Sequence, residues 1–156
     1  MTYKLIIPYD AHSSEELITF IKTSFVPLSP EQRACTFIKV NDLLAEIGIT
    51  GLKALSDKIL TEIGIHMTWM IDGKWYDIPN TVANYAARLA GLDVLYYTVH
   101  ASGGTEMIRA AKAAAPDKKL LAITILTSMK DAEVRGIYAE NRANAILRLA
   151  NIALSA

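Results

Sequence analysis

Asp72, Lys74 and Asp77 are the residues whose types and spacing most clearly predict chemistry in this chain. They follow the apolar run Ile65–Ile71, which predicts a buried strand. Residues two apart on a strand point the same way, so we expect Asp72 and Lys74 to face one side together. Neighbouring carboxylates favour the charged form of a lysine. The pattern therefore predicts either a local network of ion pairs or an ammonium group kept charged for chemistry.

Five short runs predict the strands that must position these residues, and helical patterns alternate with them. The runs are nearly continuously apolar, which is typical of parallel strands that are buried on both faces. The predicted strands are Lys4–Tyr9, Cys35–Val40, Ile65–Ile71, Val94–His100 and Leu120–Leu126.

Helix signals fill the intervals between the predicted strands. A Ser-x-x-Glu capping box at Ser13 opens the first helix, and a break is expected in the second near Gly48 and Gly51. Pro79 suits the first turn of the third helix, which Gly91 would end. The second, fourth and fifth predicted helices are Leu43–Leu60, Gly104–Ala115 and Glu140–Leu154.

This alternation predicts an α/β fold with about five βα units and a parallel sheet. An open doubly wound sheet and part of a closed eight-stranded barrel both fit the pattern. Polar residues at the ends of five successive strands favour the barrel, because an open sheet more often gathers its ligands at one switch point. We therefore predict a partial TIM (β/α)8-type barrel. The residues in question are Asp10, Lys39, Asp72 with Lys74, His100, and Thr127 with Ser128.

Composition excludes several classes of function. The 16 basic residues balance 16 acidic ones, so we expect no nucleic-acid or anionic-membrane surface. Cys35 is the single cysteine, which rules out a disulfide framework and fits a reducing compartment. No apolar run approaches the roughly 18 residues of a membrane span, and the N-terminal run is too short for a signal peptide. We expect a cytoplasmic protein.

Three segments of the chain resemble the orotidine 5′-phosphate decarboxylase family. Asp72–Val82 is similar to its Asp-x-Lys-x-x-Asp-Ile-Pro-Asn-Thr-Val signature. His100–Met107 and Leu126–Met129 resemble the next two blocks, in the right order and at plausible spacing. Related sugar-phosphate enzymes share the Asp-x-Lys-x-x-Asp core, so the Ile-Pro-Asn-Thr extension carries the resemblance to the decarboxylase.

The resemblance implies loss of CO2 from C6 of orotidine 5′-phosphate to give UMP, without metal or cofactor. Lys74 would stabilise the developing carbanion and donate the proton. Lys39, Asp72, Lys74 and Asp77 would form an alternating network of charges. Asp72 would lie near the substrate carboxylate, where repulsion raises the energy of the ground state.

The same resemblance implies further contacts with the nucleotide and with a second subunit. Asp10 would bind ribose hydroxyls; Thr127 and Ser128 would contact the nucleotide, Ser128 near the pyrimidine amide. Together with Ile78 and Thr81, Asp77 would reach into the partner's site, which implies a homodimer. Those further residues are Asp10, Asp77, Ile78, Thr81, Thr127 and Ser128.

Structural interpretations stay open for several of these residues. Asp10 could cap the helix that follows it, and Lys39 could be a solvated lysine at a strand end. Thr127 and Ser128 could serve turn hydrogen bonds. His100 has no second ligand at metal spacing, which favours a structural histidine.

The chain departs from the family pattern at three points. Asn41 stands where many members have glycine, and Gly73 replaces an apolar residue, which should reduce packing and stiffness. The third is length: from the resemblance we expect strands six to eight, and with them the family's phosphate-binding residues, to have no counterpart within residues 1–156. We therefore expect residues 1–156 to form a single incomplete barrel domain.

Two other functions stay open beside the decarboxylase. One is a related Mg2+-dependent sugar-phosphate barrel enzyme, of the hexulose-phosphate synthase or keto-gulonate-phosphate decarboxylase type. The other is a non-catalytic truncated remnant that is stable only through self-association, because its sheet would have two open edges.

Overall fold

A computed structural model describes residues 3–156, in which strands and helices alternate along the chain. A short 3-10 helix, Ala101–Gly103, follows the fourth strand. The strands and α-helices of this region are β1 Leu5–Pro8, α1 Ser14–Ser24, α2 Pro30–Ala34, β2 Thr36–Val40, α3 Asp42–Ile63, β3 Trp69–Trp75, α4 Pro79–Ala87, β4 Val94–His100, α5 Gly104–Ala114, β5 Lys119–Ile123, α6 Asp131–Tyr138 and α7 Arg142–Leu154.

The strands form one sheet in the order β1-β2-β3-β4-β5. β1 pairs with β2 in parallel, with Leu5 opposite Thr36, and β2 pairs with β3 in parallel, with Ile38 opposite Trp69. A strand order that follows the chain without reversal is that of a (β/α)8-type barrel, whereas a doubly wound sheet reverses its order at a switch point. The α/β class and the barrel-type arrangement of five βα units are confirmed.

The chain divides into two compact units, the first of which holds the residues up to Gly73 together with Leu89–Tyr97. Here α1 packs against α3, and α2 packs against β2. Burial of large apolar side chains stabilises this unit, at about 25 cal/mol per Å² removed from water. Its fully buried large side chains include Leu17, Ile21, Phe25, Ile38, Leu52, Ile59, Trp69 and Ile71.

The second unit holds Lys74–Arg88 and Thr98–Ala156. In this unit α4 packs against α5, and α7 packs against both α5 and α6. A cluster of buried residues under these helices consists of Ala101, Ile125, Val134, Ala145 and Leu149. The single domain over the whole chain stays a prediction. No helix within residues 3–156 is long and apolar enough to cross a membrane.

Two helix signals read from the sequence are confirmed by the local geometry. Ser13 accepts a hydrogen bond from the Glu16 N–H at 3.1 Å, which caps α1. The helical backbone of α3 is interrupted at Gly48, where φ is 64° and ψ is −178°. Glycine tolerates this conformation because it has no Cβ. The break expected near Gly48 and Gly51 therefore lies at Gly48, and Gly51 continues the helix.

The third strand differs from its prediction in a way that matters for the site. It spans Trp69–Trp75 instead of Ile65–Ile71, so Asp72 and Lys74 lie within the strand rather than beyond it. The apolar run ends at Ile71, but Ile71 is still paired with Val40 of β2. The chain therefore stays extended past the point where hydropathy changes. Two short helices, α2 and α6, were also missed.

Candidate functional site

Three of the predicted site residues meet at the carboxyl ends of the first three strands. Lys39 is the last but one residue of the second strand, Asp72 lies in the third, and Asp10 follows the first. The Lys39 Nζ lies 3.2 Å from Asp72 Oδ2, to which it donates a hydrogen bond, and 3.7 Å from Asp10 Oδ1. Parallel pairing causes this meeting, since it brings equivalent strand ends to one edge of the sheet.

The two contacts of Lys39 differ in burial. Asp72 is 7% exposed and the Lys39 side chain 19%, whereas the Asp10 side chain is 55% exposed. A buried carboxylate needs a charged or hydrogen-bonding partner, because leaving water costs free energy. The contact with exposed Asp10 is screened by solvent and contributes little. Lys39 is therefore held by Asp72, and the interpretation of Lys39 as a solvated lysine is disfavoured by its burial.

Lys74 has a backbone conformation that the sequence does not reveal. Its φ is 44°, in the left-handed region, which costs a non-glycine residue about 1–3 kcal/mol. Its backbone N–H donates a hydrogen bond to Thr98 Oγ1 at 2.8 Å. The rule that alternate residues face one side assumes extended backbone, so it no longer predicts the direction of Lys74. The shared face with Asp72 stays a prediction.

His100 lies near Lys74 in the second unit. Its ring meets Tyr76 edge to face, with centroids 6.1 Å apart at 84°. Burial lowers the pKa of His100 below its ordinary value of 6.5, and the positive charge of Lys74 lowers it further. His100 is thus mainly neutral near pH 7.

We expect an NMR titration to find the His100 pKa below 6.5. In Lys74→Gln this pKa should rise but stay below 6.5, because the lowering caused by burial remains. The unfolded state binds this proton more tightly, so the free energy of unfolding falls as the pH drops below 6.5. His100→Gln should reduce that fall in urea denaturation series. A His100 pKa at or above 6.5 would contradict the arrangement.

The left-handed conformation of Lys74 should affect the free energy of unfolding of variants at this position. Glycine adopts positive φ without a steric penalty, whereas alanine does not. Lys74→Gly should therefore have a free energy of unfolding about 1 kcal/mol higher than Lys74→Ala, measured by urea denaturation. The same pair of substitutions at Lys22, in the last turn of α1, should show the opposite order. An Ala variant at position 74 that equals or exceeds the Gly variant would argue against the strain.

The residues expected to reach a second subunit lie at the start of α4. Asp77 Oδ1 accepts a hydrogen bond from the Ile78 N–H at 2.7 Å, and the Thr81 N–H donates to the Ile78 carbonyl at 3.0 Å. Pro79 occupies the first helical position, where its missing N–H costs nothing. Asp77 and Ile78 are exposed, and Thr81 is half-buried.

Thr127 and Ser128 lie in a turn after β5, and both are exposed. The turn is closed by a backbone hydrogen bond from the Met129 N–H to the Leu126 carbonyl at 3.1 Å. Because the backbone closes the turn, the structure does not require the two hydroxyls for it. Their contact with a nucleotide stays a prediction.

Sequence reasoning overlooked Thr98. It is fully buried in the middle of β4, among apolar neighbours. A lone polar residue inside an apolar strand signals a buried hydrogen bond, because buried polar groups are almost always paired. That signal could have been read from Val94–His100. Within residues 3–156, no group of three or more His, Cys, Asp or Glu residues is placed to hold a metal ion. Independence from metal stays a prediction.

Known proteins resemble this chain over most of its length. The family model described as Orotidine 5′-phosphate decarboxylase / HUMPS family matches residues 29–154. An orotidine 5′-phosphate decarboxylase of Pseudoalteromonas translucida is 34% identical over 142 residues, which cover 88% of this chain and 55% of the relative. One from Thermobifida fusca is 44% identical over 87 residues, 55% of this chain and 37% of the relative.

A solved structure agrees with the fold. The crystal structure of orotidine 5′-phosphate decarboxylase from Lactobacillus acidophilus matches with a TM-score of 0.76 and 32% identity. The match covers 97% of this chain and 66% of that one. The chain thus spans from about a third to two thirds of the length of the proteins that it resembles.

Proposed function

Because the chain belongs to the orotidine 5′-phosphate decarboxylase / HUMPS family, we propose that its site converts orotidine 5′-phosphate to UMP and CO2. This is a step of de novo pyrimidine biosynthesis. The arrangement that carries the proposal is the Lys39 ammonium between the carboxylates of Asp72 and Asp10. Buried Asp72 lies on β3, the strand that also carries Lys74.

The reaction needs one proton donor and no redox partner. The bond between C6 and the carboxylate carbon breaks, CO2 leaves, and the electron pair stays on C6. The Lys74 ammonium stabilises this charge and transfers a proton to C6, after which solvent restores its own proton. The carboxylate of Asp72 lies near that of the substrate, so that repulsion between them is relieved as CO2 departs.

Lys39 and the acidic residues prepare this reaction. Lys39 compensates the charge of buried Asp72 and holds that carboxylate in place. Exposed Asp10 is available to accept hydrogen bonds from ribose hydroxyls. Asp77 completes the alternating network, and the hydroxyls of Thr127 and Ser128 contact the nucleotide from their exposed turn.

The assay that tests the proposal measures UMP by chromatography after incubation with orotidine 5′-phosphate. A family that also includes HUMPS enzymes makes a Mg2+-dependent sugar-phosphate reaction the second candidate. UMP formation at an undiminished rate in EDTA supports the metal-independent decarboxylase. Activity on a keto sugar phosphate that EDTA abolishes, with no UMP formed, supports the second candidate. Aggregation without either activity supports the remnant.

We also propose that the chain forms a homodimer through the start of α4. Ile78 is 65% exposed there, next to Tyr76, which is 63% exposed, and such neighbouring apolar groups are costly in water. Asp77, Ile78 and Thr81 would then reach the partner's site.

Ile78→Arg should shift the protein from dimer to monomer in sedimentation velocity, because a charged side chain is costly in a buried interface. Ile137→Arg is the matched control, since Ile137 is 63% exposed in α6. The control should stay dimeric. A dimer in both variants, or a monomer in both, would count against this interface.

A further inference from the structure

We infer that Thr98 is a positioning residue, whose Oγ1 holds the Lys74 N–H and so fixes the backbone from which the ammonium is presented. The inference rests on the proposed function for the role of Lys74. It adds a residue that lies on another strand, β4, and that touches neither the substrate nor the reacting atoms.

The geometry requires something to hold Lys74 in place. At a φ of 44° its backbone lies in a region that L residues disfavour, and such conformations persist only where the surroundings determine them. Gly73 precedes it, and glycine has the widest choice of backbone conformations. The local chain therefore does not fix Lys74 by itself, and a contact from another element is needed.

Thr98 supplies that contact. Its hydroxyl accepts the Lys74 N–H at 2.8 Å, and the residue is fully buried, so the hydrogen bond is sheltered from competing water. A β-branched side chain has few χ1 rotamers, which keeps the hydroxyl oxygen at a fixed point. The held N–H orients the peptide plane, and together with the φ of 44° this sets the direction of the Cα–Cβ bond of Lys74. A displacement of about 1 Å at a reacting group can cost 10²-fold in rate.

Thr98→Val tests this inference because it keeps the shape of the side chain and removes the acceptor. Thr98→Ser is the matched control, which keeps the oxygen. In hydrogen-exchange NMR of the full chain, Thr98→Val should speed exchange of the Lys74 amide about tenfold, and Thr98→Ser should leave it within about threefold. Thr98→Ala also lacks the hydroxyl and serves as the second variant if Thr98→Val does not fold. Unchanged exchange at Lys74 in the variants without the hydroxyl overturns the inference.

His100 reports on the side chain itself. If Lys74 loses its position, its charge moves relative to His100, and the His100 titration midpoint changes in Thr98→Val but not in Thr98→Ser. In a Lys74→Gln background, Thr98→Val should have no such effect, because the charge is gone. An equal change in both backgrounds would mean that Thr98 acts on His100 directly, and would overturn the inference.

Turnover separates this inference from the proposed function. Thr98→Val should lower kcat for orotidine 5′-phosphate by about 10- to 100-fold with KM within about threefold, and Thr98→Ser should restore most of it. Equal losses in the two variants would indicate a merely structural role. If Lys74→Gln keeps full turnover, the proposed function fails, whereas the exchange and titration results still decide whether Thr98 holds Lys74.

Discussion

Lys74→Gln should lower the turnover of orotidine 5′-phosphate by about 10³-fold or more. The variant loses both the positive charge that stabilises the C6 carbanion and the proton that quenches it, and each effect is worth about 10²-fold or more. The measurement is UMP formation under single-turnover conditions in the presence of EDTA. UMP binding, measured by calorimetry, should persist, because the product makes its other contacts without this proton.

The control for this variant is Lys22→Gln, at an exposed position in the last turn of α1. It makes the same chemical change away from the proposed site and should leave turnover within about twofold. Near-normal turnover in Lys74→Gln, or an equal loss in the control, would refute the role of Lys74 as the proton donor.

Lys39→Met should lower the free energy of unfolding by about 2–3 kcal/mol. It removes the cation 3.2 Å from the carboxylate of Asp72, which is 7% exposed, and breaking a buried pair costs more than forming it gains. The Lys39 side chain is 19% exposed, which keeps the loss below the value for a fully buried pair. Methionine retains the length and apolar stem of the side chain, so packing changes little.

Asp10→Asn is the matched test of the other contact of Lys39. At 3.7 Å and with a 55% exposed carboxylate, this pair should contribute less than about 1 kcal/mol. Urea denaturation at pH 7 measures both variants. Equal losses would show that the burial of Asp72 does not control the energetics of the cluster.

Hydropathy predicts the bounds of a strand well where the apolar run and the extended backbone begin and end at the same residues. Val94–His100 is observed with the predicted bounds: charged Asp93 precedes it, and a 3-10 helix begins directly after it at Ala101. At β3 the two diverge, since Asp72 and Lys74 are charged but still belong to the sheet. A rule based on hydropathy takes such charged residues as lying outside the sheet, so it ends the strand too early.

The two overlooked helices had different signals. α2 carries a capping box in which Ser29 accepts the Gln32 N–H and the Gln32 side chain accepts the Ser29 N–H, so its start was readable. α6 is short, and Glu133 accepts the Lys130 N–H at its start. Such short segments rarely stand out, because one or two turns show little periodicity.

The candidate site was predictable in its residue types but not in its backbone. Strand ends brought Asp10, Lys39 and Asp72 together as parallel pairing requires. The left-handed conformation of Lys74 was not foreseen, because lysine has no preference for it and the cause lies in Thr98, which is remote in sequence. Contacts between distant residues are what local patterns cannot supply.

A crystal structure of the protein with bound UMP is the decisive measurement of the role of Lys74. We expect the Lys74 Nζ to lie about 3–3.5 Å from C6 of the pyrimidine, with Asp72 beside the same ring edge. A nucleotide bound with the Lys74 ammonium directed into solvent, or with another side chain against C6, would contradict it.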